Sequence, residues 1–267
     1  MKCDISKESY LERFQEYLDF EKIVKSEYLV IGKVLAETIK TALGNVPRVR
    51  VLDVGCGDGR MASTLVTLFA CTQMRLIFDF LDPVEEALTL YERNVPEAHR
   101  GARIRGDWVS YDLKQPYDAI IANNSLCGFD TRETEGLRRF ETGLKAGGVT
   151  LITLPSVKSD WVTYARQLWP SVHGARFGKT VFEDLASRFD CLGINHEDRF
   201  VEVPVRIEKT GCDAALKAIF SMMMYVDREQ IEAQWLSDYR WFKRGILWRQ
   251  GFRMKFVYGI TTVRRGV

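Results

Sequence analysis

The stretch Val51-Leu52-Asp53-Val54-Gly55-Cys56-Gly57-Asp58-Gly59-Arg60 places three glycines at alternate positions directly after an apolar run. Glycine loses more backbone entropy on folding than any other residue. A dense cluster of it at a strand end therefore means that φ turns positive there or that something approaches the main chain closely. With 267 residues, 46% of them hydrophobic, the chain is long enough to bury one full core around such a turn, with or without an appendage.

The residues around that turn follow an alternating rhythm. Short apolar runs at Val49–Val54, Leu76–Leu81, Ala102–Ile104, Tyr117–Ala122 and Val149–Leu154 read as buried strands. Helical spacing between them covers 59–70, 84–94 and 132–145, the last with Gly147-Gly148 as its C-terminal stop. Strands of this buried type alternating with helices predict a parallel sheet covered on both faces. Two helices are predicted within 8–42, further helices at 156–171 and 180–189, strand-like alternation over 191–207, and a last strand over Phe252–Val263. We read residues 1–267 as one domain: an N-terminal helical cap (1–45), an α/β core (46–207), a helical insertion (208–250) and the last strand (251–267).

Composition narrows the classes further. The first residues carry no apolar stretch of signal-peptide length, and no segment reaches the roughly 18 uninterrupted apolar residues of a membrane helix, so a cytoplasmic protein without membrane contact is expected. Six cysteines lie far apart without a C-x-x-C pair, which predicts reduced thiols and no metal site. A net charge of +2 does not announce a nucleic-acid partner. Eight basic residues and no acidic one fall between Arg240 and Arg265, either a solvated face or a surface for an anion.

In the glycine turn, the dinucleotide-binding fingerprint G-x-G-x-x-G fails at its third glycine, where Arg60 stands. The pattern Asp53-x-Gly55-x-Gly57-x-Gly59 instead resembles the first motif of class I S-adenosylmethionine-dependent methyltransferases. That resemblance implies a Rossmann-like, seven-stranded, mostly parallel sheet with S-adenosyl-L-methionine as cofactor. Bare backbone at the glycines lies against the ribose and the amino-acid end, and Asp53 draws the ammonium directly or through water. Asp82-Pro83 ends strand two, 23 residues beyond Gly59, where the family places an acid on both ribose hydroxyls. Asp79 lies three residues too early to reach that edge. Asp107 and Trp108 follow strand three, where the family holds the adenine amino group and ring. Asn123 and Asn124 end strand four, facing the transfer centre.

The strand-four edge also limits the methyl acceptor. Asn123-Asn124-Ser125-Leu126 is neither the Asp/Asn-Pro-Pro-aromatic motif of DNA amino-methyltransferases nor the Pro-Cys of cytosine C5 enzymes, which leaves small-molecule N- or O-methylation. Ser9–Leu18 (SYLERFQEYL), Asp82-Pro83, the Ser156–Trp161 segment and the helical insertion are similar to histamine N-methyltransferase and its bacterial relatives. By that resemblance Asn123 matches a substrate-contacting glutamine, whereas Ile23, with Glu21 two residues earlier, falls where the family has a glutamate. The expectation is in-line methyl transfer to a nitrogen of an amine or natural product. Tyr17, Asn123 and Asn124 are at the reacting centre and Tyr10, Tyr17, Asn124, Trp161 and Trp235 line the pocket. Transfer to O, C or S of an aromatic product, a macromolecular acceptor, or a cofactor-binding partner subunit that methylates nothing remain open, and the chain is read as a monomer or homodimer. His99, His173 and His196 fall on none of the catalytic edges. Met222–Met224 with Trp235 read either as a pliable lid or as plain core.

Overall fold

The computed structural model describes residues 27–127, 133–207, 212–224, 226, 228–248 and 251–266. They form two compact units. The larger comprises Tyr28–Pro155, Lys179–Val201 and Tyr258–Val267, and the smaller is built among the described residues from Glu27, Ser156–Gly178 and Glu202–Val257.

In the larger unit, α1 (Glu27–Leu43) precedes β1 (Arg48–Val54), α2 (Arg60–Phe69), β2 (Arg75–Asp82), α3 (Glu85–Asn94), β3 (Arg100–Arg105), β4 (Tyr117–Asn123), α4 (Thr134–Thr142) and β5 (Leu144–Pro155). After α5 (Asp160–His173) in the smaller unit come α6 (Phe182–Leu192) and β6 (His196–Ile207). The smaller unit holds α7 (Cys212–Met224), α8 (Gln230–Gln234), α9 (Leu236–Ile246) and the two-residue β7 (Leu247–Trp248) before β8 (Gly251–Arg264). The strand order is β3-β2-β1-β4-β5-β8-β6, with β7 paired to β8 outside that path. β1, β2, β3, β4 and β5 pair parallel and β8 antiparallel to β5, so the expected seven-stranded, mostly parallel sheet is present.

Burial explains the order. Val49, Val51 and Leu52 on β1, and Ile120, Ile121 and Ala122 on β4, are almost wholly buried, as strands covered on both faces require. On one face Leu52, Val54, Ile120, Ala122, Ile152 and Leu154 pack with Leu137 and Phe140 of α4 and Leu185 and Phe189 of α6. Because side chains alternate along a strand, Asp53 and Asn123 belong to the opposite face.

One sequence expectation is corrected. Gly147-Gly148 does not stop a helix: α4 ends at Thr142 with Gly143 as its cap, and β5 has already begun at Leu144. The pairing shifts between Tyr117–Leu144 and Ala119–Val149, so the intervening residues, with Gly147 at φ 75°, form an irregular bend inside the strand. A glycine pair serves a strand irregularity as readily as a helix stop, and local pattern does not separate the two.

Met223 and Met224 are buried in the smaller unit, which makes them core. Among the described residues no helix is long and apolar enough to cross a membrane.

Candidate functional site

The carboxyl ends of β1, β2, β3 and β4 meet in the larger unit, where open α/β sheets place their ligands. Beyond β1 the glycine turn is tied to the neighbouring strand, because the Leu81 carbonyl accepts the N–H of Gly55 at 2.8 Å and of Cys56 at 3.1 Å. Gly55, Gly57 and Gly59 all have left-handed backbones, with φ of 61°, 54° and 79°. A side chain at Gly55 would put its Cβ 2.3 Å from that of Ser125, and one at Gly59 would meet the Tyr91 ring at 2.7 Å. Two of the glycines are thus required by shape as well as by φ.

Three carboxyl groups surround this turn. Asp53 is 3% exposed at the end of β1. Burial pushes it up to about 8, the charges of Asp82 and Asp58 add to the rise, and the Tyr91 hydroxyl beside it opposes the rise. Asp58, between the second and third glycines, is raised to about 6 by burial, although it accepts the Arg60 N–H at 3.2 Å and pairs with Arg60 Nε at 2.7 Å. Asp82 is raised by burial against two backbone bonds: its Oδ2 accepts the Gly57 N–H at 3.1 Å and its Oδ1 the Val84 N–H at 2.9 Å. Each of its oxygens keeps a second lone pair for a further donor. Three desolvated acids beside bare backbone suit a ligand that brings positive charge and hydroxyl or N–H donors. They would repel a pyrophosphate.

The turn after β3 sends its two candidate residues in different directions. Asp107 is exposed, and its Oδ1 accepts the Val109 N–H at 2.8 Å. Trp108 turns into the core: it is 5% exposed, stacks on Phe140 with centroids 4.6 Å apart, and donates its indole N–H to the Gly136 carbonyl at 2.9 Å. Arg139 of α4 clasps the same turn, donating to the carbonyls of Trp108, Val109 and Tyr111 at 3.2, 2.7 and 2.9 Å.

At the end of β4, Asn123 is partly buried and Asn124 takes a left-handed φ of 55° while its N–H reaches the Thr153 carbonyl. The side-chain oxygens of Asn123 and Ser125 are buried without a hydrogen-bond partner, a cost of about 1–3 kcal/mol each unless a bound donor removes it. Pro83 is exposed beside Asp82. Asp79, as expected, faces away from this edge: it holds the Arg50 guanidinium, the Ala102 N–H and the Tyr117 hydroxyl.

Of the remaining pocket candidates, Tyr10 and Tyr17 lie outside the described residues. Trp161, on α5, and Trp235, between α8 and α9, are half-buried in the smaller unit, and the Trp235 indole nitrogen has no hydrogen-bond partner. Each histidine ring bonds a backbone carbonyl away from the glycine turn: His99 that of Leu76, His173 that of Met224, and His196 that of Ile194. Among the described residues no three His, Cys, Asp or Glu side chains are placed to hold a metal ion. Sequence reasoning missed Tyr91, Asp58, Ser125 and Arg139, whose positions depend on how α3, α4 and the β4 end fold back on the turn.

Residues 52–150, from within β1 to the middle of β5, match the sequence family described as a methyltransferase domain. No curated protein sequence matches the chain. Among solved structures, a candidate methyltransferase from Bacillus halodurans is 15% identical, with a TM-score of 0.57 over 87% of this chain and 99% of that one. A candidate histamine N-methyltransferase from Thermotoga maritima is 14% identical, with a TM-score of 0.51 over 96% of this chain and 98% of that one. A phosphoethanolamine N-methyltransferase from Haemonchus contortus, solved with S-adenosylhomocysteine, is 14% identical, with a TM-score of 0.51 over 87% of this chain and 52% of that one.

Proposed function

We propose that this chain, an S-adenosylmethionine-dependent methyltransferase, methylates a nitrogen of a small amine. The observation that carries the reading is the chemistry of the β4 edge, where Asn123, Asn124 and Ser125 stand in place of an acid or base and the three histidines are engaged elsewhere. The bound cofactor supplies a methyl group already activated by its sulfonium charge. The chain then has to present a lone pair in line with that methyl in a dry pocket, and a neutral amine has such a lone pair without help from a base. A hydroxyl acceptor needs a base.

In this reading Gly55, Gly57 and Gly59 give bare backbone to the ribose and amino-acid end, Asp82 accepts the ribose hydroxyls, Asp53 faces the ammonium, and Asp107 faces the adenine amino group. Asn123 and Asn124 orient the acceptor, with the unpartnered oxygen of Asn123 taking an N–H from it. The names of the Thermotoga and Haemonchus proteins, both amine methyltransferases by description, support the same acceptor class.

The basic C-terminal stretch gives less support to a nucleic-acid acceptor than its composition implied. Lys243 pairs with Asp213, Lys255 with Glu202, and Arg265 donates to the carbonyls of Thr142 and Leu144.

The test is incubation with S-adenosylmethionine labelled in the methyl group and a cell extract then fractionated by size. Label in the small-molecule fraction, on nitrogen by mass spectrometry, is the expected result. Label confined to protein or nucleic acid overturns the reading.

A further inference from the structure

Thr153 lies wholly buried on β5, yet its hydroxyl oxygen has no hydrogen-bond partner. Thr150, buried on the same strand, is satisfied, because its hydroxyl donates to the Phe140 carbonyl. An unpartnered hydroxyl in a core costs stability, and valine would fill the same space without that cost. Strand register places the hydroxyl. Thr153 is the direct partner of Asn123 on β4. Ile152 and Leu154 on either side of Thr153, and Ala122 before Asn123, pack in the cluster under α4 and α6, so Thr153 and Asn123 leave the sheet on its other face. Leu52, Val54 and Leu81 belong to that same cluster, which puts Asp53 and Asp82 on the face of Asn123 and Thr153. Across β2, β1, β4 and β5 the strand ends therefore carry Asp82, Asp53, Asn123 and Thr153 in a row. The first two stand where the cofactor is read to lie, Asn123 stands where the acceptor begins, and Thr153 is one strand farther from the cofactor. The Asn123 Oδ1 is likewise buried and unpartnered. Two oxygens that hold one NH2 group at about 2.9 Å each stand about 4.7 Å apart, and neighbouring strands lie about 4.8 Å apart. The strand spacing thus suits a single amino group bridging the pair.

We propose that Thr153 is a specificity residue for the methyl acceptor, its hydroxyl oxygen taking one N–H of a primary amine whose other N–H goes to Asn123. The proposal rests on the reading of the β4 edge as an amine site. With both N–H groups held, the lone pair of the neutral amine is what remains to meet the methyl group. It forms the new N–C bond, the methyl–sulfur bond breaks with its electron pair left on sulfur, and the nitrogen then gives one proton to water. The product has one N–H fewer, so a second transfer would leave one of the two buried oxygens without its donor. Thr153 thereby favours a single methylation.

The experiment gives S-adenosylmethionine with a trideuterated methyl group, and the small-molecule fraction of a cell extract, to the wild type, Thr153→Val and Thr153→Ser. Mass spectrometry counts the labelled methyl groups on each product. The wild type should give singly labelled amines. Thr153→Val should label them about tenfold more slowly in dilute extract, the loss of one hydrogen bond, and should recover as the extract is concentrated. It should also raise the share of doubly labelled product, because valine accommodates the methyl that the hydroxyl disfavours. Thr153→Ser keeps the hydroxyl and should label as the wild type does. Without ligand, Thr153→Val should melt no lower than the wild type, and its affinity for S-adenosylhomocysteine should be unchanged. Wild-type rate and labelling pattern in Thr153→Val overturn the proposal. So does a slower rate that serine fails to restore, or one that comes with a lower melting temperature or weaker S-adenosylhomocysteine binding. Wild-type products carrying mainly two or three labels also overturn it. Absence of label on any small amine with the wild type overturns the amine reading itself.

Discussion

Replacing Gly55 by alanine separates the two reasons for a glycine at that position. Gly55 has φ of 61°, and Gly44, just after α1, has φ of 60°, so both substitutions force an L-residue into the left-handed region at a similar cost of about 1–2 kcal/mol. Their surroundings differ. Nothing lies within 4 Å of a Cβ at Gly44, whereas one at Gly55 would sit 2.3 Å from the Ser125 Cβ and 3.5 Å from its Cα. Relieving such an overlap moves the chain after β4 and adds about 1–3 kcal/mol, as overpacking of a close-fitted interior does. The totals are about 1–2 kcal/mol for Gly44→Ala and about 2–5 kcal/mol for Gly55→Ala, and each kcal/mol lowers the melting temperature by about 2–4 °C in a protein of this size. Scanning calorimetry of both variants, with S-adenosylhomocysteine affinity measured beside it, checks the difference. Gly44→Ala should keep its affinity and Gly55→Ala should lose most of it. A Gly55→Ala protein that melts no lower than Gly44→Ala would refute the claim that Ser125 closes on the turn.

Two further outcomes follow from the site's electrostatics and packing. Because burial holds the folded Asp53 at about 8, far above an ordinary aspartate's 3.8, the folded ligand-free protein keeps a proton that the unfolded chain releases, and stability from this group falls as the pH rises from about 4 to 8. Melting curves of the ligand-free wild type should therefore decline over that window more steeply than those of Asp53→Asn, and identical slopes would show that Asp53 does not hold the proton. Trp108→Phe loses the indole bond to Gly136 and part of the buried ring, so it should cost about 1–3 kcal/mol in denaturant unfolding while S-adenosylhomocysteine affinity stays within about twofold. A large affinity loss at unchanged stability would instead place Trp108 against the cofactor.

The two residues after β3 show where the sequence ran out. "RIRGDWV" identified the turn correctly, and Asp107 is exposed there. What it did not contain was Phe140 and the Gly136 carbonyl, which arrive from α4 and draw the neighbouring indole inward. Asp79 and Asp82 were separable in advance because position along a strand fixes which edge an acid reaches, and a period of two fixes its face. Gly147-Gly148 was not separable, since positive φ at a helix end and at a strand irregularity asks for the same residue.

By itself, then, the sequence determined the parallel sheet, the glycine turn and the acids at its strand ends, because those features are local: apolar runs of strand length, glycine where φ is positive, and a fixed count from one edge residue to the next. Only the tertiary structure decided that Ser125 closes against Gly55, that the Tyr91 ring lies under Gly59, that Arg139 clasps the turn after β3, and that Trp108 belongs to the core. Each of those joins residues far apart in the chain, and it takes burial, which sets both the packing and the charge of Asp53, to give a distant neighbour its effect.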